Sequence, residues 1–183
     1  MRVTHCILLL LVLSQMPAAA GPPGIWLDVP FVKQDTDGCG SASVAMIMQY
    51  WQRQNGSPAS DSSDAQYIQR VLYSRSAHGI YASELERYLQ QQQFRTFVFR
   101  GDWNALHQHL AKGRPLLVAL QPASAKGPLH YEVVVGLDGN ENTVLVNDPA
   151  QRKLLKQDWP TFEREWNAAG KWTLLAVPQR ESH

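Results

Sequence analysis

The stretch from Gln34 to Trp51, QDTDGCGSASVAMIMQYW, decides the fold of this chain. From Ser41 onward it is almost wholly apolar, which predicts a buried helix that begins at Cys39 and runs to about Gln54. Backbone N–H groups at a helix start are unpaired and carry partial positive charge, so they favour a cysteine thiolate. The side-chain N–H of Gln34 would complete an oxyanion hole with the N–H of Cys39. A free cysteine is also commonly a small core hydrophobe, so the motif alone leaves both interpretations open.

A second set of polar residues lies about a hundred residues downstream, on two short apolar segments. His130 begins the first, and Asn147 and Asp148 end the second, with the turn residues DGN at 138–140 between them. A three-residue turn would set His130 opposite Asp148, whose carboxylate would orient the imidazole and stabilise its charged form. A two-residue turn would set Asn147 there instead, and an amide also orients an imidazole. The spacing leaves both registers open.

A helix-start cysteine, a strand histidine and a nearby carboxylate together predict a cysteine nucleophile with its general base and orienting acid. The other histidines fit this pattern less well. His107 and His109 lie two apart on a predicted helix, where their side chains point in different directions, so they do not predict a zinc pair. The sequence therefore predicts an enzyme with no metal and no cofactor.

Composition and charge exclude other classes of protein. The 183 residues are 44% hydrophobic and 18% charged, as in a folded globular protein, and they suffice for one domain with a core. The 17 basic and 16 acidic side chains give a net charge of +1, and no basic cluster resembles a nucleic-acid footprint. We therefore expect no nucleic-acid partner.

Residues 1–20 predict a secretory signal peptide of a bacterial protein. Arg2 precedes an apolar run from Cys6 to Leu13, and small residues lie at 18–20. The run is shorter than the roughly 20 residues of a membrane span, so we expect no stable anchor after cleavage near Ala20. Cleavage would leave one domain at 21–183, periplasmic or secreted, with Cys39 as its single thiol. A lone cysteine in an oxidising compartment favours a catalytic role.

The order of predicted elements indicates an α+β fold, with N-terminal helices packed on a C-terminal antiparallel sheet. After the Cys39 helix, apolar spacing predicts helices at 64–74, 84–92, 103–112 and 162–168, the second capped by Ser83 and the third ended by Gly113. Short runs rich in β-branched and aromatic residues predict strands at 26–32, 94–100, 115–120, 131–137, 143–146 and 172–177.

Several of these motifs resemble those of the C39-type cysteine peptidases, a papain-like group best known as the leader-cutting domain of bacteriocin exporters. The matching pieces are Val29-Pro30, Gln34, Cys39-Gly-Ser-Ala42, His130-Tyr-Glu-Val-Val134, Asn147-Asp-Pro149 and Phe162-Glu-Arg-Glu-Trp166. The resemblance implies a papain-like fold with Cys39 as nucleophile, His130 as general base, Asp148 as orienting acid and Gln34 in the oxyanion hole. It favours Asp148 over Asn147 as the partner of His130.

The resemblance also implies a function. We expect peptide-bond hydrolysis through a thioester, on extended segments of exported proteins or peptides and near small residues, with an export system as a further partner. Two alternatives stay open. One is a catalytically silent peptide-binding module of the same fold, and the other is an acyl transferase that uses the same three residues.

Overall fold

The computed structural model describes residues 24–122 and 127–179, so the predicted signal peptide lies outside the described residues. Within these ranges the chain forms five α-helices and one seven-stranded sheet. The helices are α1 (Cys39–Gln54), α2 (Ala65–Leu72), α3 (Ala82–Gln91), α4 (Trp103–Leu110) and α5 (Trp159–Ala168). The strands are β1 (Ile25–Trp26), β2 (Phe94–Arg100), β3 (Leu116–Leu120), β4 (His130–Asp138), β5 (Thr143–Asn147), β6 (Leu155–Asp158) and β7 (Trp172–Pro178). The predicted α+β fold is confirmed.

Helix α1 has the predicted bounds and is the central helix of the core. Every residue from Gly40 to Met48 is buried, because the apolar run has no polar face to turn toward solvent. At its C-terminal end the Tyr50 hydroxyl donates to the Gly113 carbonyl at 2.8 Å, and the Trp51 indole donates to the Ala176 carbonyl at 2.9 Å. These bonds join α1 to both the α4–β3 connection and β7.

The helices differ in how their first turns are capped. Asp64, Asp102 and Asp158 each accept a hydrogen bond from a backbone N–H in the first turn of α2, α4 and α5, respectively, at 2.7–2.9 Å. Such caps stabilise a helix by about 1 kcal/mol. Helix α1 has Gly38 at its N-cap and no side-chain cap, so the N–H groups beside Cys39 are not covered by an aspartate.

The sheet is antiparallel, with strand order β2-β7-β3-β4-β5-β6 and with β1 paired to the far end of β4. Helices cover both of its faces. On one face the helices α1, α2 and α3 pack against Leu117, Val133 and Leu174. On the other face α4 and α5 pack against Leu116 and Val134, with Phe162 and Trp166 of α5 fully buried. Strand β4 therefore lies between the two halves of the core.

The β4–β5 hairpin has neither of the predicted registers. Thr143 pairs with Asp138 across a loop at 139–142, which is longer than either predicted turn, and a bulge near Val135 shifts the pairing by one residue. Asn147 then pairs with Val133. Neither Asp148 nor Asn147 lies directly opposite His130, so both predicted pairs are wrong. Continued by one residue, the observed register sets Asp148 beside Glu132.

The remaining differences concern element ends and one strand. Strand β1 is shorter than the predicted 26–32 and ends at Trp26, and α3 begins at Ala82 after Tyr81, so Ser83 is not its cap. Strand β6 was not predicted, because its sequence LKQD carries one apolar residue and lies at the sheet edge. Among the described residues, no helix combines the length and apolar character needed to span a membrane.

The bulge makes Gly136 a test of the fold. A Cβ there would lie 2.5 Å from the Ile25 carbonyl oxygen and 2.8 Å from Leu145. We expect Gly136→Ala to lower the free energy of unfolding by about 1–3 kcal/mol, measured by urea denaturation, because the extra methyl group overpacks the β1–β4 contact. Gly139→Ala is the control, since a Cβ at Gly139 meets no atom within 4 Å. Equal stability of the two variants would contradict this packing.

Candidate active site

An open cleft of about 480 Å³ brings the two predicted halves of the site together. Its walls are the loop and helix start from Gln34 to Cys39, the segment 77–82, and the residues 128–131 that lead into β4. Cys39 is half-buried at the first position of α1, with its thiol free rather than in a disulfide. The cysteine therefore combines access from the cleft with the uncapped helix start.

His130 and Asp148 are joined by a short hydrogen bond. The imidazole Nε2 lies 2.8 Å from Asp148 Oδ1. The predicted contact between the two side chains is therefore present, although the strand register differs from both predicted registers. Asp148 is almost fully buried, and it also accepts bonds from the Ala150 N–H at 2.9 Å and from the Gln151 amide at 2.5 Å. This set of donors orients the carboxylate. It also leaves Nδ1 as the imidazole nitrogen that is not bonded to Asp148.

The surroundings of His130 favour its charged form. Burial opposes the charge, but hydrogen bonds to Asp148 and to the Cys39 side chain and the negative charges of Glu132 and Asp148 outweigh it, raising the pKa of His130 to about 10. Burial acts on Asp148 in the opposite sense. The bond and charge of His130 and the Ala150 N–H overcome it and lower the pKa of Asp148. At neutral pH the site therefore holds an imidazolium bound to a carboxylate.

Asn147, the alternative orienting residue, does not contact the imidazole. Its side-chain amide donates to the Val29 carbonyl at 3.2 Å and accepts from the Leu154 N–H at 3.0 Å. Because it pairs with Val133, it lies on the face of the sheet that α1 covers. Asn147 therefore ties the segment before the cysteine loop to the hairpin, and of the two candidates it is Asp148 that bonds to the imidazole.

Gln34 lies in the same cleft as Cys39. Its backbone N–H donates to the Pro149 carbonyl at 3.0 Å, which fixes the loop against the residue that follows Asp148. Its side-chain oxygen is buried and has no hydrogen-bond partner among the described residues. The oxygen is therefore an unsatisfied buried acceptor on a side chain that lines the cleft.

The sequence arguments assigned no role to Glu132, although the residue lies at the site. It is 2% exposed, and its Oε1 is 3.6 Å from His130 Nε2. Burial and the charge of Asp148 raise the pKa of Glu132 to about 8, against the lowering effect of His130. An acid in the middle of the apolar run HYEVVVG was the signal that could have identified it, because an acidic residue is rarely fully buried without a partner.

His130, Glu132 and Asp148 form one group whose potential metal-ligating atoms lie within 4.8 Å of one another. The closest of these atoms already satisfy each other, since Nε2 donates to Asp148 Oδ1. A metal ion at this point would have to break that bond. The arrangement fits an acid–base site better than a metal centre.

Comparisons with known proteins agree with this fold. A model of the Peptidase_C39 like family matches residues 26–174, whereas a search of curated proteins found no match. A C39-like peptidase of Bacillus anthracis superposes with a TM-score of 0.67 at 17% identity, over 87% of this chain and 100% of that one. At these distances such likeness shows the fold alone.

Two further solved structures come from transport systems. The peptidase domain of Streptococcus ComA, a bifunctional ABC transporter involved in quorum sensing, has a TM-score of 0.63 at 22% identity, over 82% of this chain and 98% of that one. A double glycine motif protease from an AMS/PCAT transporter, solved in complex with the leader peptide, has a TM-score of 0.60 at 19% identity, over 84% and 94%.

The charged imidazole should make the free energy of unfolding depend on pH in the alkaline range. A group whose pKa rises on folding stabilises the protein fully below its unfolded pKa, here 6.5, and this contribution is lost as the pH rises through the folded pKa of about 10. We expect the free energy of unfolding to fall by on the order of a few kcal/mol between pH 7 and pH 10. Urea denaturation at several pH values measures it. A His130→Gln variant with an equally steep fall would contradict the assignment.

Proposed function

Since the chain belongs to the Peptidase_C39 like family, whose model matches residues 26–174, we propose that it is a cysteine peptidase that hydrolyses peptide bonds with Cys39, His130 and Asp148. The observation that carries this proposal is the 2.8 Å bond between His130 Nε2 and Asp148 Oδ1 in the cleft where α1 begins at Cys39. The three groups have the order nucleophile, base and orienting acid that thioester chemistry requires.

In the proposed mechanism Cys39 attacks the peptide carbonyl carbon as a thiolate, and the C=O π electrons move to the oxygen, which becomes an oxyanion. The imidazolium then gives its Nδ1 proton to the leaving amine as the C–N bond breaks, which leaves a thioester on Cys39. Neutral His130 next takes a proton from water, and the hydroxide attacks the thioester carbonyl. The C–S bond then breaks, which releases the free acid and restores the Cys39 thiolate and the imidazolium. Asp148 keeps Nε2 protonated throughout and so fixes which nitrogen faces the substrate.

Gln34 supports the oxyanion step. The side chain lines the cleft beside Cys39, and its loop is held by the bond from its N–H to Pro149. We assign its amide N–H and the Cys39 backbone N–H as the two donors to the developing oxyanion. Because α1 has no side-chain cap, no capping side chain competes with a substrate for the second donor.

The substrate that we propose is an extended segment of an exported protein or peptide, cut near small residues. The cleft is open to solvent, and exposed Tyr81 and Leu129 are among its lining residues, which suits a bound peptide. The likeness to a double glycine motif protease and to ComA supports small residues at the cut and a link to export. If residues 1–20 act as a signal peptide, the enzyme works in the periplasm or outside the cell.

The first test incubates the chain from Gly21 onward with a diverse peptide library under mild reductant. We expect cleavage confined to sites after small residues, with free carboxyl ends seen by mass spectrometry, and no cleavage by Cys39→Ala purified in the same way. Cross-linked products would indicate acyl transfer instead. Cleavage at all kinds of residue would overturn the substrate proposal, and no cleavage by a protein whose Cys39 still reacts with iodoacetamide would indicate a binding module.

The second test concerns the oxyanion hole. We expect Gln34→Ala to lower kcat by about 10²–10³-fold with little change in KM, because the amide would bind the transition state more strongly than the substrate. Gln66→Ala is the control, since Gln66 is exposed on α2 and its side-chain amide donates to Asp35 of the same loop at 3.5 Å. Equal kcat values for the two variants would remove Gln34 from the mechanism.

A further inference from the structure

Glu132 is a buried acid that the proposed mechanism does not use. It follows His130 by two residues on β4, so the two side chains leave the strand on the same face. Its Oε1 lies 3.6 Å from His130 Nε2, the nitrogen that Asp148 Oδ1 binds at 2.8 Å. The imidazole therefore has two carboxyl groups behind it, one in direct contact and one just beyond hydrogen-bond distance.

The two carboxyl groups differ in their donors. Asp148 accepts from His130, from the Ala150 N–H and from the Gln151 amide. Besides the nearby imidazole, Glu132 has one weak hydrogen-bond donor among the described residues, the Gln157 amide of β6 at 3.5 Å. Asp148 therefore keeps its negative charge most easily, and a proton shared between the two acids resides on Glu132.

The charged groups around Glu132 act in two directions. Asp148, from the segment after β5, and Glu165, from α5, oppose a negative charge on it, whereas His130 on β4 favours one. A carboxylate in so buried a position is costly unless a cation lies beside it. Ionised Glu132 is thus tolerated only together with the imidazolium, and the two groups titrate as a coupled pair.

We propose that Glu132 is a positioning residue for His130: it is a second acid behind Nε2 that keeps the imidazole protonated to a higher pH than Asp148 alone does. Near neutral pH Glu132 is itself protonated and adds little. As the pH rises it loses its proton first, and the new carboxylate then stabilises the neighbouring imidazolium. The role rests on the proposed function, because it acts through the imidazole that donates to the leaving amine.

The main experiment follows the His130 ring resonances by NMR against pH in the reduced, resting protein. In Glu132→Gln we expect the imidazole to titrate at least about one pH unit lower than in the wild type, since an opposite charge at this distance shifts a titration by one to three units. The alkaline limb of kcat/KM should move down with it, while kcat/KM near pH 7 stays within about threefold. Glu132→Asp should restore part of the shift.

Glu163→Gln is the matched control for net charge. Glu163 lies on α5 and pairs with Lys171 at 2.6 Å, so the variant loses one negative charge without touching the imidazole. Its His130 titration should equal that of the wild type. Should Glu132→Gln fail to fold, the wild type still decides, because its His130 resonances should show a first small step near pH 8, when Glu132 ionises, before the main one near pH 10.

An unchanged His130 titration in Glu132→Gln, or a single step in the wild type, would overturn the role of Glu132. The result is independent of peptide cleavage. If the wild type cuts no peptide but shows the two-step titration, the peptidase proposal fails and the coupling stands. If it cuts peptides and Glu132→Gln leaves the titration unmoved, the peptidase proposal stands and the coupling fails.

Discussion

The packing of α1 against β4 is the constraint on which the site depends, because the nucleophile and its base come from elements that are far apart in sequence. The hydroxyl of Ser43, which follows Cys39 by four residues, donates to the Tyr131 carbonyl at 3.1 Å. Tyr131 directly follows His130. Buried side chains of α1 and Val133 and Val135 of β4 belong to one apolar cluster around this bond. The helix start and the strand start are thus packed together beside the cleft that holds Cys39 and His130.

Two consecutive residues at the end of the β4–β5 hairpin point to opposite faces of the sheet, and one of them is structural while the other contacts the candidate base. Asn147 turns toward the α1 face and satisfies the backbone of Val29 and Leu154, whereas Asp148, the next residue, turns to the imidazole. The bulge near Val135 sets which of the two falls on which face. A one-residue slip would exchange them and place an amide behind the imidazole. The hairpin register therefore determines which side chain contacts the imidazole as well as how the two strands pack.

The sequence predicted the elements whose signal is local and long. Helix α1 and strand β2 have their predicted bounds, since an unbroken apolar run and a run rich in aromatic and β-branched residues need no tertiary information. The candidate residues Cys39, Gln34, His130 and Asp148 do lie in or beside one cleft. Register was beyond reach, because it depends on a four-residue loop and a bulge that only packing decides. Strand β6 escaped because an edge strand needs little apolar pattern.

The buried cluster explains why one of its members escaped sequence reasoning. His130 and Asp148 fit the pattern of a general base and its orienting acid, which a sequence can suggest. Glu132 is recognised only from its contacts in the folded protein. At neutral pH the protonated Glu132 lets the cluster hold one imidazolium and one carboxylate, which nearly cancel in charge. An apolar residue at this position would leave His130 with Asp148 as its one carboxylate partner. A buried acid that contributes no charge until the pH rises is costly for folding alone, and its value lies in the imidazole beside it.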